Sequence, residues 1–238
     1  MAISDQILYE DNHLIALNKL CGQIVQGDKT GDTPLCDLVK AFLKERDNKQ
    51  GNVFCGVIHR LDRPVSGVVL FAKTSKALTR MNETVKNRDI QKTYWALTKG
   101  MPPSQQGTLD NWLLRNEKQN KSYVVAPGSK DAKQALLDYQ VIGKTEGNYN
   151  LIQIQLHTGR HHQIRVQLAH IGCPIKGDLK YGAPRSNPDG GISLHARSIS
   201  FIHPVKKTEI TITAPPPPDT IWISSACFLP TNENKSTF

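Results

Sequence analysis

Long apolar runs are missing from this chain of 238 residues. The longest, Val68–Ala72 and Leu14–Leu17, fall far short of the ~20 residues a membrane-spanning helix needs. The amino terminus, MAISDQILYEDN, has no basic stretch followed by an apolar one, so no secretory signal is visible. A membrane or exported protein is a poor reading, and a cytoplasmic one is expected. Cysteine is scarce: five, at 21, 36, 55, 173 and 227, with no CxxC pair. Those spacings match neither a disulfide framework nor a zinc site, so reduced thiols are the plain expectation. P-loop, GxGxxG and GxSxG patterns are absent too. Nothing suggests a nucleotide cofactor or a serine hydrolase.

What remains is an ordinary globular composition, 38% hydrophobic and 21% charged, with apolar material enough for a core. Thirty Lys and Arg against 21 Asp and Glu leave a net charge of +9. A polyanionic partner follows, with nucleic acid the first candidate and a merely basic surface the alternative.

Short alternating segments at 53–58, 68–73, 92–98, 149–156, 192–202 and 208–213 read as strands. In YNLIQIQL, Ile152, Ile154 and Leu156 share one face, as a half-buried antiparallel sheet requires. Three helices interrupt them. Thr33 is the expected N-cap of the first, with Pro34 in the first turn and an apolar stripe Leu35, Leu38, Val39, Phe42, Leu43. Ser75 is the expected cap of the second, with Leu78, Met81 and Val85 inward and Lys76, Arg80 and Lys86 outward. The third is expected from about His161 to Ile171, stopping at Gly172, with the stripe Ile164, Leu168, Ile171. Strands outnumber helices without regular alternation, so an α+β fold is expected. A single domain over 1–225 and a polar tail over 226–238 complete the organisation, and a monomer is expected.

Two segments are dense in chemistry. HRLDRPVSG (59–67) lies between two expected strands. It places Asp62 between Arg60 and Arg63 with His59 nearby, cations that favour an ionised carboxylate. Such an aspartate can act as nucleophile or general base, or it can simply pin a turn. LHTGRHHQIRVQLAHIGCPIKGDLKYG (156–182) runs from a strand through a turn into the third helix, whose N-terminus suits a phosphate or carboxylate. Arg160 and Arg165 reinforce that pull. Arg165 lies off the apolar stripe, where it can be held half-buried against a carboxylate, although a solvated arginine is the ordinary outcome. His157, His161, His162 and His170 crowd here, but no HExxH occurs and the spacing does not suit zinc. In KTYWAL (92–97), Lys92 and Tyr94 share a face. That suits base stacking beside a phosphate as well as a tyrosine packed in the core.

These segments resemble the RluA family of pseudouridine synthases. ILYEDNHLIALNK (7–19) resembles its opening strand pair, and HRLDRPVSGVVLFAK (59–73) its HRLDxxTSGxxxxAK element. KTYWALTKG (92–100) is similar to its KxYxAxxxG strand. TGRHHQIRVQLAHIGCPIKGDLKYG (158–182) resembles TGRxHQIRxHLxxxGxPIxGDxxYG, and HARSISFIHP (195–204) the closing HAxxLxFxHP. The resemblance implies a mixed, largely antiparallel sheet flanked by helices. It implies isomerisation of selected uridines in structured ribosomal or transfer RNA, with no metal and no cofactor. Asp62 is then the essential carboxylate, Tyr94 lies against the target base, and Arg165 pairs with Asp62. Arg60 enters the RNA stack, and Arg160, His162 and Gln163 join it on the RNA side.

Three departures stand out: Leu20 and Cys21 replace proline and a small residue, Val65 replaces threonine, and Gln167 replaces histidine. Many relatives carry an amino-terminal S4-type RNA-binding module. Here the motifs begin near residue 1, so RNA affinity is expected from the domain's own surface, including Lys118 and Lys121. A catalytically dead RNA-binding relative and a histidine-dependent metallohydrolase are the competing readings.

Overall fold

The structure is a computed structural model that describes residues 1–28, 30–145 and 147–222. The expected tail over 226–238, the domain end at 225 and Cys227 lie outside the described residues. The chain runs β1 (Ile7–Glu10), β2 (Leu14–Lys19), α1 (Leu35–Arg46), β3 (Gly56–Val57), β4 (Ser66–Ala72) and α2 (Ser75–Asn87). It continues β5 (Gln91–Thr98), β6 (Gln106–Asn116), β7 (Lys121–Val125), β8 (Lys133–Lys144), β9 (Asn150–Leu156), α3 (Gln163–His170), β10 (Leu194–Ile202) and β11 (Glu209–Thr213). One sheet orders the strands β1-β2-β4-β10-β5-β9-β8-β6-β7, with β3 on β4 and β11 on β10. The fold class is the expected α+β.

Strand β4 carries the apolar run VVLFA and is buried along its whole length, as a strand covered on both faces must be. It pairs antiparallel with β2 and β3 and meets β10 in a short parallel contact, Ser66 opposite His195 and Gly67 opposite Ala196. Gly67 takes φ +115°, and a Cβ there would lie 2.3 Å from the Ala196 carbonyl oxygen. The crossing therefore demands glycine. The main core takes in both faces of β2 and β4 and the inner sides of α1 and α2. Trp95, Leu97 and Leu151 form a smaller, separate cluster.

Helix starts differ from expectation in instructive ways. Pro34, not Thr33, is the boundary residue of α1, and no side chain caps it. The Leu35 and Cys36 amides donate instead to the Ile24 and Val25 carbonyls, at 2.7 and 3.3 Å. The preceding loop thus satisfies the donors a cap would have served. Thr74 caps α2 in place of Ser75, its Oγ1 accepting from the Ala77 amide. Helix α3 is shorter than expected, because His161 lies in a turn and His162 adopts φ +54° before the first helical residue.

Between 99 and 148, where no element is expected, β6, β7 and β8 occupy most of the span. Their hairpins fold over α3, and Leu113, Ala135, Val166 and Tyr181 make a separate small core between them. That cover buries α3 on nearly every side from Gln163 to Leu168. The expectation of a solvated Arg165 fails for this reason: its side chain is only 6% exposed. The expected strand 53–58 shrinks to Gly56–Val57.

Candidate active site

Asp62 sits at the head of a turn closed by the Val65 amide donating to the Asp62 carbonyl at 3.0 Å. Lys19, fully buried at the end of β2, fixes this turn from below. Its Nζ donates to the carbonyls of Leu20, Arg63 and Val65, at 3.1, 3.1 and 2.6 Å. Burial lowers the Lys19 ammonium to about 8. Pro64 adds a further tie, accepting from the Ile192 amide at 3.0 Å.

The flanking arginines do not serve Asp62. Arg63 pairs with Asp32 at 2.6 Å on the surface, and Arg60 is exposed on the lip of the cleft. The cation comes from α3 instead. Arg165 Nη1 donates to Asp62 Oδ2 at 3.1 Å. Its Nε and Nη2 grip both oxygens of Asp178, at 2.7 and 2.8 Å. Tyr181 packs beneath the guanidinium, 5.1 Å from ring centroid to Cζ. Such a forked clamp fixes the guanidinium plane. Asp178, within the GDLKYG segment, carries no expected role: the resemblance pairs Arg165 with Asp62, and nothing in the sequence calls for a second carboxylate.

Tyr94 of β5 is in the main core but lines the same cleft as Asp62. Burial first, then the Asp62 charge, pushes its phenol well above the usual range, so it stays protonated at neutral pH. Lys92, two residues earlier on the same face, is half-buried in the cleft floor. Its ammonium has no ion pair or hydrogen bond among the described residues. Burial lowers its ammonium. His59 behind it accepts from the Leu70 amide at 3.2 Å and burial keeps it neutral.

The remaining expected residues divide. Arg160 lines the cleft, with Nε donating to the Gln134 carbonyl at 3.0 Å. Gln163 is 3% exposed and turns its amide inward, accepting from Thr158 Oγ1 and the Arg160 amide and donating to the Leu136 carbonyl. It shapes the loop that enters α3. His162 is also buried, with Nε2 3.5 Å from Asp62 Oδ2. The four histidines do not converge. His157 pairs with Asp138 at 2.6 Å, His161 binds Ser122 and Asn120, and His170 ends the helix exposed. Gln167, one of the departures, donates to the Leu109 and Ala135 carbonyls at 3.1 Å each and ties α3 to β6 and β8.

The result is a cleft of about 960 Å³. Exposed Arg60, Lys86, Arg88, Arg115 and Lys180 line it together with Asp62 and the exposed Asp28. The family model for RNA pseudouridylate synthase matches residues 13–170. The chain belongs to the RNA pseudouridylate synthase family. Its relatives include an uncharacterized RNA pseudouridine synthase of Synechocystis, 33% identical over 214 residues, covering 89% of this chain and 65% of that one. The tRNA pseudouridine synthase C of Haemophilus influenzae is 33% identical over 226 residues, covering 88% and 92%. Further synthase relatives are named for the large ribosomal subunit. Among solved structures, human RNA pseudouridylate synthase domain containing 4 superposes with TM-score 0.78 at 25% identity, covering 95% of this chain and 94% of that one. Synthases so named are isomerases. Among the described residues, no helix of this synthase is long and apolar enough to cross a membrane.

Proposed function

We propose that this chain isomerises selected uridines in folded ribosomal or transfer RNA to pseudouridine, with Asp62 as the essential carboxylate. One observation carries the reading: Asp62, Arg165 and Tyr94, drawn from a loop, a helix and a strand, converge on one basic cleft. A uracil stacked in folded RNA is out of reach and must be turned out, at a cost of ~a few kcal/mol. The basic rim holds the backbone while Tyr94 meets the flipped ring. Cleavage of the N1–C1′ bond develops positive character at C1′, which the Asp62 carboxylate opposes. The uracil turns, C5 bonds to C1′, C5 releases its hydrogen as a proton, and N1 takes one up. Arg165 holds Asp62 in place as water leaves.

Release of tritium from 5-tritiated uridine in RNA tests the reaction directly. The RNA is total RNA from cells lacking the gene, and pseudouridine mapping in cells with and without the gene finds the target. Unchanged pseudouridine maps together with no tritium release would reject the proposal.

A further inference from the structure

We propose that His162 is a positioning residue for Asp62, presenting its Nε2–H to the carboxylate in a tautomer set by Tyr181 and the Ser122 amide. The inference rests on Asp62 being the reactive carboxylate of a uridine isomerase. His162 sits at φ +54°, a backbone conformation that costs a side-chain-bearing residue about 1 kcal/mol. Its side chain is 5% exposed. An imidazole placed to touch RNA would need neither burial nor that backbone.

The tautomer follows from donor accounting. The Ser122 amide can only donate, and it donates to Tyr181 Oη at 2.8 Å. The buried phenol's own hydrogen has no other acceptor among the described residues, so it turns to His162 Nδ1, 2.9 Å away. An imidazole that accepts at Nδ1 carries its hydrogen on Nε2. That Nε2 faces Asp62 Oδ2 at 3.5 Å. The opposite tautomer would set a lone pair against the carboxylate. A separation of 3.5 Å is long for a formed hydrogen bond, and catalytic hydrogen bonds commonly tighten when substrate binds.

The ring has little freedom to do anything else. His161 stacks on it at 3.8 Å, and Tyr181 meets it edge-on at 5.6 Å. Arg165 from α3, neighbouring His161, Lys180 and Arg115 face it with positive or neutral groups, and Asp62 is the acid in front. Burial first, then those positive neighbours, lowers the imidazole to about 2, so it remains neutral. Both donors, Arg165 Nη1 and His162 Nε2, approach the same oxygen, Oδ2. Oδ1 is thereby left as the oxygen for the sugar.

Nitrogen NMR of the ¹⁵N-histidine-labelled full chain tests the placement without substrate, with His162 assigned by its loss in His162→Gln. The expected signal is a neutral Nε2–H imidazole at pH 7 that persists to pH 5. A neutral Nδ1–H form, or an imidazolium at pH 7, overturns the proposal. Kinetics on 5-tritiated total RNA supply the second arm. His162→Leu should lower turnover about tenfold to hundredfold, the range for a hydrogen bond to a charged group. The half-saturating RNA concentration should stay within about twofold, and His162→Gln, which keeps an N–H near Nε2, should recover a clear part of the loss. Tyr181→Phe should lower turnover in the same sense while mixing the two tautomers. Wild-type turnover in His162→Leu, or a change confined to half-saturation, overturns the positioning role. An active Asp62→Asn variant would instead reject Asp62 as the reactive carboxylate, and no tritium release by the wild-type chain would reject the isomerase reading; the nitrogen shifts would still decide the tautomer.

Discussion

Arg165 lies between two aspartates that differ sharply in burial, Asp178 at 1% exposed and Asp62 at 34%. They should answer the same substitution in opposite ways. Asp62→Asn removes one charge from a partly solvated group, and Arg165 keeps its grip on Asp178. Folding stability should change by no more than ~1 kcal/mol, while tritium release falls below detection. RNA affinity should hold or rise slightly, since one negative charge leaves a surface that meets a polyanion. Asp178→Asn breaks a buried pair and leaves the guanidinium undercompensated, at a cost of ~3–5 kcal/mol. Urea unfolding and tritium release on the same preparations check both variants. An Asp62→Asn protein that folds and still turns over sinks the catalytic assignment, and an Asp178→Asn protein of unchanged stability sinks the clamp.

At the scale of elements, the site depends on strand crossings that tolerate little. The Asp62 turn leads straight into β4, and β4 meets β10 through Gly67. In Gly67→Ala the added methyl would press on the Ala196 carbonyl from 2.3 Å while the backbone is held at φ +115°. We expect a loss of several kcal/mol in urea unfolding, drawn from backbone clash and left-handed strain together. Stability within 0.5 kcal/mol of wild type, about the scatter of an ordinary surface change, would show that the crossing can relax. Elements with strong local signals are the ones the sequence made legible. The apolar run of β4, the alternation of β9 and the stripe of α2 all name their faces directly. Strand β8 carries the same kind of signal, with Ala135, Leu137 and Tyr139 alternating and buried, although it is not among the expected strands. Strand β6 is harder, because QGTLDNWLLRN mixes exposed and half-buried positions without a clean period.

Over the whole molecule, charge and buried histidines set two solution properties. The net charge of +9 and the basic rim should make RNA binding steeply salt-dependent, with a slope of ~0.7–0.9 per phosphate neutralised. Lys92 has no acidic partner among the described residues, so Lys92→Met should flatten that slope by about one phosphate. An unchanged slope would mean that Lys92 does not meet the backbone. Stability should also depend on acid. Burial lowers His195 to about 4 and His162 to about 2, from the ordinary value of 6.5. The unfolded chain therefore binds more protons than the folded one below pH 6.5. The stability these groups contribute is complete above pH 6.5 and is lost as pH falls toward 4. Denaturation midpoints at pH 7.5, 6 and 5 should fall in that order, and a flat series would contradict the buried neutral histidines.

The resemblance to family motifs pointed to Asp62, Tyr94 and Arg165, because those residues stand in short segments whose order along the chain carries the pattern; spacing by itself left a turn pin, a core tyrosine and a solvated arginine open. Periodicity likewise marked the faces of α2, β4 and β9, since local packing against one sheet leaves a direct trace in sequence. Partnership was decided elsewhere. Asp62 takes its cation from a residue 103 positions away, not from the arginines beside it, because a tight turn throws neighbouring side chains outward. Arg165 is buried because the β6–β7 hairpin covers α3, and Asp178 is its partner because a buried guanidinium must be matched. Lys19 clamps the turn only once β2 and β4 lie side by side. Such contacts come from burial, and burial is a property of the folded sheet rather than of any stretch of chain.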